Sequence, residues 1–193
     1  MQIKRFVLGT FATNCYLVSD GVSPEAMIID PAYDAETILK AVKEASLKVK
    51  YIVLTHGHMD HTGALDPVKE ATGAETYIHN DDVGHLHSPV DHLLGGGETF
   101  TLGSLTLEVL PTPGHSPGSI SLVGDGVLFS GDTLFSYSIG RYDFPGSSYE
   151  QIKDSLFNKI MALPDDTQVF PGHGPDTTIG NERMGNPFLT GGF

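Results

Sequence analysis

Three histidines and an aspartate crowd the stretch Thr55-His56-Gly57-His58-Met59-Asp60-His61. Imidazole nitrogens and a carboxylate packed this densely suit a small transition-metal cation, because each offers a lone pair to one centre. Two further histidines stand in turns stiffened by proline and glycine. His115 lies within Thr112-Pro113-Gly114-His115-Ser116-Pro117-Gly118, and His173 within Phe170-Pro171-Gly172-His173-Gly174-Pro175. Asp132 follows a β-rich run in Gly131-Asp132-Thr133. Proline fixes φ and glycine permits sharp bends, so each of these side chains is aimed by a rigid mount, as a ligand that must not wander requires.

The elements that must carry these turns are readable from pattern. Ile3–Leu8, Cys15–Val18 and Ala26–Ile29 read as strands, and Asp30-Pro31 closes the third. A helix is predicted from Ala35 to Ala45, capped by Asp34, with an apolar stripe of Ile38, Leu39, Val42 and Ala45. The run Tyr51–Leu54 is a buried strand that delivers the histidine cluster at its end. A short helix over Pro67–Thr72 and a strand over Glu75–Ile78 follow. Residues 79–98 read as an irregular surface loop, holding at most a turn of helix and loose enough for a lid.

Strands return at Thr106–Leu110, Ile120–Val123 and Val127–Ser130, with a hairpin turn at Gly124-Asp125-Gly126. Ser147 with Glu150 predicts a capping box for a helix that sends Ile152, Leu156, Phe157 and Ile160 to the core and ends near Pro164. A strand at Gln168–Phe170 and a short turn or helix over Ile179–Met184 complete the chain. Buried strands covered by helices predict a layered α/β domain with sheet packed on sheet.

The 193 residues fit one domain, 1–193. A net charge of −13 opposes non-specific attraction to nucleic acid or anionic membrane, yet leaves anionic small molecules open, since a metal site brings its own positive charge. The single cysteine, Cys15, excludes an intrachain disulfide and points to a reducing compartment, and no apolar run approaches membrane-spanning length, so a cytoplasmic protein is expected. Cys15 itself reads as a small core residue. The number of chains in the assembly is not written in the sequence.

The ordered set His56, His58, Asp60, His61, His115, Asp132, His173 resembles the metallo-β-lactamase superfamily. The resemblance implies an αββα sandwich with the site at one edge of the sheets. It assigns His56, His58 and His115 to a first metal, Asp60, His61 and His173 to a second, and Asp132 to a bridge between them. A bridging hydroxide would attack a carbonyl carbon, with Asp60 orienting it. The nitrogen and oxygen donors favour two transition-metal ions, zinc first, with iron or manganese also compatible.

A narrower likeness lies in Asp132-Thr133-Leu134-Phe135, Gly140-Arg141-Tyr142-Asp143-Phe144-Pro145-Gly146 and the segment from Gly172 to Leu189. These are similar to short glyoxalase II-type thioesterases. They imply hydrolysis of a thioester of a 2-hydroxy acid such as S-lactoylglutathione, with Arg141 as a substrate contact and without a separate C-terminal helical glutathione-binding domain. Asp143 departs from that pattern, where a tyrosine stands. The alternative is a persulfide dioxygenase with one iron on His56, His115 and Asp132, since that group shares the Gly-Arg-x-Asp-Phe segment.

Several residues carry two readings. Asp30 either orients a ligand histidine from behind or merely ends its strand. Arg141 is a substrate contact or a salt-bridged loop residue. Arg183 pins the tail to the body. His79, His85, His87 and His92 lack the strand-then-turn setting of the ligands and read as solvated loop residues.

Overall fold

The structure is a computed structural model that describes residues 1–191, so the last two positions of the expected 1–193 domain lie outside the described residues. Two six-stranded sheets stack face to face. The first comprises β1 (Gln2–Leu8), β2 (Thr13–Ser19), β3 (Glu25–Ile29), β4 (Lys48–Val53), β5 (Glu75–His79) and β6 (His92–Leu94), side by side in that order. The second runs β14 (Thr177–Thr178), β13 (Gln168–Pro171), β10 (Val127–Gly131), β9 (Ile120–Gly124), β8 (Leu105–Pro111) and β7 (Thr99–Leu102). A small hairpin of β11 (Leu134–Phe135) and β12 (Ser138–Ile139) projects after β10.

Strand alternation sorts the side chains into three apolar layers. Tyr16, Val18, Met27, Ile29 and Val53 meet Leu107, Val109, Leu122 and Phe129 between the sheets. Their neighbours Leu17, Ile28, Ile52 and Leu54 face outward onto helices α1 (Ala35–Glu44) and α3 (Leu65–Thr72). On the far side, Leu128 and Val169 pack under α4 (Tyr149–Asp154), its continuation to Ala162, and α5 (Ile179–Gly185). The order helix, sheet, sheet, helix is the αββα sandwich expected. Among the described residues no helix is long and apolar enough to cross a membrane.

Asp34 caps α1 as expected, accepting from the Thr37 N–H at 3.2 Å. Its buried face is Ile38, Ala41 and Val42, so Ala41 takes the place of the predicted Leu39, which is half-buried, and Ala45, which is exposed. Positions 38, 41 and 42 share one helical face, whereas 45 lies at the fraying end. The second cap also moves by one residue. Ser148 receives the Gln151 N–H at 3.3 Å, while Ser147 donates its hydroxyl to the His115 carbonyl at 2.7 Å. Beyond Asp154 the helix widens into a π turn over Ser155–Lys159. Ile152, Leu156 and Ile160 stay fully buried at i, i+4, i+8, but Phe157 rotates outward to 41% exposure, against expectation.

The strands not anticipated are short or polar: β6, β7, the β11–β12 hairpin and β14. The region 79–98 is also more ordered than expected. It holds a 3₁₀ turn over Asn80–His85 and the strand β6, which pairs in parallel with β5, so it is fastened rather than lid-like. Urea denaturation tests the shifted face of α4. Ile152→Ala should cost about 2–5 kcal/mol, as large-to-small core changes do, and Phe157→Ala no more than about 1 kcal/mol. Equal losses would contradict the assigned face.

Candidate metal centre

Strand direction explains why the predicted ligands meet. β3 runs parallel to β4 and β4 to β5, while in the second sheet β10 runs parallel to β13, and β8 runs with β10 because each is antiparallel to β9. The C-terminal ends of these strands therefore open onto one edge of the sandwich. His56 and His58 follow β4, Asp60 and His61 lie in the one-turn helix α2 (Met59–Thr62), His115 follows β8, Asp132 follows β10, and His173 follows β13.

All seven residues come together. Donor atoms lie within 4.8 Å of one another in three overlapping groups: His56, His58 and His115; His56, His61 and Asp132; Asp60, His61 and His173. Asp132 stands between the halves, with one oxygen 3.4 Å from His61 Nε2 and the other 3.6 Å from His115 Nε2 and 3.5 Å from His173 Nε2.

Partners behind the rings decide which nitrogen faces inward. His115 Nδ1 donates to the Arg141 carbonyl at 2.8 Å, and His173 Nδ1 to the Phe11 carbonyl at 3.1 Å. His61 Nδ1 donates to Asp30 Oδ2 at 2.8 Å. The Thr55 hydroxyl is itself donated to Asp30, so His56 Nδ1 donates to Thr55 Oγ1 at 3.1 Å. A neutral imidazole with its proton on Nδ1 has its lone pair on Nε2. In their neutral form four histidines thus aim bare Nε2 atoms into the centre, and His58 presents Nδ1, 2.9 Å from His115 Nε2.

Asp30 thereby takes both parts considered for it. It ends β3 in the left-handed region at φ 51°, and from there its carboxylate accepts from Thr55 N–H, Thr55 hydroxyl and His61. Such strain in a buried aspartate persists where the surroundings hold it.

The donor set fits a metal. His56 Nε2 and Asp132 Oδ1 are buried side-chain atoms with no hydrogen-bond partner. Leaving such atoms unsatisfied costs about 1–3 kcal/mol each, and a cation at this point would satisfy both. Nitrogen with carboxylate oxygen and no thiolate suits zinc, iron or manganese. Cys15 is fully buried in the core beneath the first sheet, and burial pushes its thiol above the ordinary range.

Protonation differs between the two halves. Burial, aided by the neighbouring His61 and His115, holds His56 well below the usual histidine value, and burial with His115 lowers His58. Burial opposes charge on His61 too, but Asp132 and Asp30 outweigh it and hold the ring well above the usual value. His173 is likewise raised against burial, by Asp60 and Asp132. Burial works against the ionised forms of Asp60 and Asp132, yet the adjacent histidines keep both carboxyls lowered. His56 and His58 are thus held neutral, while His61 and His173 favour a proton where a cation can go.

The rim is apolar and mixed in charge. Phe144 lies edge-on to His58 and His115, with ring centres 5.6 and 5.8 Å apart. The Arg141 guanidinium stacks over Phe144 at 4.1 Å and forms a two-pronged ion pair with Asp143, both contacts at 2.9 Å. Of the four loop histidines, His85 approaches the centre, its ring 6.0 Å from His58, whereas His79 accepts from Asp81 N–H and His92 stacks on Tyr77. Arg183 binds Asp165 and the carbonyls of Met161 and Leu163, fastening the tail as expected.

Sequence reading missed Thr13, whose hydroxyl donates to Asp60 Oδ2 at 3.0 Å, and the supports Ser147 and Asp82. Their partners lie 25 or more residues away, so no local motif marks them.

The sequence profile described as Metallo-beta-lactamase superfamily matches residues 8–173. The hydroxyacylglutathione hydrolase GloC of Haemophilus influenzae is 36% identical over 98% of each chain. Among solved structures, the BLEG-1 B3 metallo-beta-lactamase superposes with TM-score 0.93 at 40% identity, over 98% of this chain and all of that one. ETHE1 from Myxococcus xanthus gives TM-score 0.91 at 31% identity, over 99% of this chain and 85% of that one. TTHA1623 in a di-iron-bound form gives 0.87 at 36% identity, over 96% of this chain and all of that one. By profile, full-length relatives and fold, the chain belongs to the metallo-beta-lactamase superfamily.

Proposed function

We propose that this metallo-hydrolase cleaves a thioester of a 2-hydroxy acid, S-lactoylglutathione or a close analogue, with two transition-metal ions, zinc first. His56, His58 and His115 would hold one ion, Asp60, His61 and His173 the other, and Asp132 both. Such a pair supplies a nucleophilic hydroxide at neutral pH and polarises the carbonyl under attack. The observation that carries the reading is the set of inward-facing bare nitrogens with Asp132 between them. The likeness to GloC supports the thioester, and the di-iron form of TTHA1623 supports a two-ion centre.

Around that centre the chain's own groups do three things. Asp60, held by the Thr13 hydroxyl and only partly buried, keeps an ionised carboxylate at the mouth to orient the nucleophile. Phe144 forms an apolar wall beside His58 and His115 that excludes water from the acyl group. Arg141 offers a cation to a carboxylate on the thiol portion. A thiolate leaves readily, so the site needs no strong general acid. The lone buried Cys15 supports a reducing, cytoplasmic setting, and the net charge of −13 supports small-molecule rather than nucleic-acid partners.

A second reading is a persulfide dioxygenase with one iron on His56, His115 and Asp132, favoured by the likeness to ETHE1 and by the Gly140–Phe144 segment. Metal analysis with paired assays separates the two. Two ions per chain and thiol release from S-lactoylglutathione are expected. One iron with oxygen uptake on glutathione persulfide would replace the first reading with the second, and cleavage of a β-lactam alone would replace both. The β-lactam arm is included because of the likeness to BLEG-1.

Asp60→Ala should lower kcat by about 10²–10⁴-fold, the usual contribution of a positioned proton-handling group, and cut the metal count towards one. Undiminished turnover would remove Asp60 from the mechanism. Asp143→Asn frees Arg141, so KM for a glutathione thioester should fall by about two- to fivefold, and Arg141→Ala should raise it. Both effects should fade in high salt.

Zinc uptake must also expel the protons held on His61 and His173. A raised pKa means the ring is still protonated above the ordinary histidine range, so competition persists there and weakens as pH rises through the raised value. Apparent zinc affinity of the chelator-stripped protein should therefore still be climbing above about pH 7, beyond the range of an ordinary histidine near 6.5. Calorimetry in buffers of different ionisation enthalpy should record proton release. A flat affinity above neutrality would contradict this charge state.

A further inference from the structure

One buried carboxylate near the centre is not used by this chemistry. Asp82, in the 3₁₀ turn Asn80–His85 that follows β5, is fully buried. Its Oδ2 accepts from the Gly57 backbone N–H at 2.8 Å and from the Ser116 hydroxyl at 2.7 Å. Its Oδ1 accepts from the Gly118 N–H at 2.6 Å. Gly57 separates His56 from His58, and Ser116 directly follows His115. The first loop leaves the first sheet and the second loop leaves the second sheet, so one side chain from a third loop joins both.

The packing leaves little slack. A Cβ on Gly57 would sit 2.7 Å from the His85 Cβ and 2.8 Å from the Asp82 carbonyl oxygen, and one on Gly118 would sit 2.7 Å from the Asp82 nitrogen. Backbones of all three loops are in direct contact, so a shift of the 80–85 turn moves both ligand-bearing loops. The donors of the other half, Asp60, His61 and His173, are held by other groups: Thr13, Asp30 and the Phe11 carbonyl.

We propose that Asp82 is a positioning residue for half of the centre: by accepting from Gly57, Ser116 and Gly118 at once it sets the spacing of His56 and His58 against His115, and with it the cation affinity of that trio alone. The inference rests on the reading of these histidines as metal ligands. It requires an acceptor on every side, because an amide at this place would turn one acceptor into a donor facing donors.

Zinc titration against a chromophoric chelator in two backgrounds tests it. His173→Ala leaves the His56, His58 and His115 trio intact, and His58→Ala leaves Asp60, His61 and His173. Adding Asp82→Asn should weaken zinc binding about 10–100-fold in the first background, as loss of an outer support does, and by less than about twofold in the second. Ser116→Ala removes one donor and keeps the carboxylate. It should give a smaller loss, about three- to tenfold, again in the first background only, and it serves if Asp82→Asn does not fold. Equal losses in both backgrounds, which a general loosening of the fold would produce, overturn the proposal, as does no loss in the first. Absence of zinc uptake by the unsubstituted protein overturns the metal reading and this inference with it, so the two failures are distinguishable.

Discussion

Imidazole nitrogens turned towards one another around a single centre are the constraint on which the rest of this structure turns. His61 Nε2 and His173 Nε2 stand 3.3 Å apart, and each ring has already committed its Nδ1 proton to a partner behind it. Two lone pairs at that distance repel unless a proton or a cation lies between. The arrangement survives because the outer nitrogens are anchored by groups that can only accept: two backbone carbonyls and the Asp30 carboxylate. Each anchor fixes a tautomer as well as a ring plane, and a metal ligand needs both. Asp30 carries the largest share, since it anchors His61 directly and His56 through Thr55.

Those anchors belong to separate parts of the chain, which makes the sandwich a condition of the site. Strands of both sheets end on one edge, and several cross-links hold the edges in register. The Ile120 N–H donates to the Thr55 carbonyl at 2.8 Å, tying the start of β9 to the loop that bears His56. The β1–β2 hairpin closes the other side. The Asn14 amide donates to the carbonyls of Pro171 and Gly174, and the Asn14 N–H donates to Gly172, bracketing His173 on both flanks. The same hairpin brings the Phe11 carbonyl to His173 and the Thr13 hydroxyl to Asp60. A slip of one sheet on the other would disturb these contacts together.

The sequence revealed the candidate ligands more readily than their supports, for a physical reason. His56 to His61 are neighbours, and the Pro-Gly turns around His115 and His173 are local devices, so both leave a short-range pattern. Long apolar strands such as β2, β4 and β10 were legible by the same logic. Thr13, Ser147 and Asp82 act on partners distant in the chain, and nothing in their neighbours marks them. Ser147 shows the difficulty well: its spacing to Glu150 imitates a helix cap, but its hydroxyl holds the His115 carbonyl and Ser148 takes the cap. Phe157 was misplaced because a π turn is a tertiary accommodation that helical periodicity does not encode. β6 and β14 span only three and two residues, too short for alternation to register.

Charge at the rim bears on how a substrate would be chosen under the proposed reading. The chain carries −13 overall, so an anionic thioester approaches against the average field, and screening confines any attraction to roughly 8 Å at physiological salt. Arg141 lies over the Phe144 ring that flanks His58 and His115, but its guanidinium already holds the Asp143 carboxylate through two contacts. A substrate carboxylate would therefore have to exchange with Asp143 rather than simply add to Arg141. Both side chains are exposed, and exposed ion pairs are worth little, so exchange is feasible and yields little net affinity. Stacking on Phe144 keeps the guanidinium plane oriented while its partner changes. Arg141 is thus suited to discriminate among thiol portions by the fit of a planar carboxylate, while the strength of binding has to come from the cations of the centre and the apolar wall beside them.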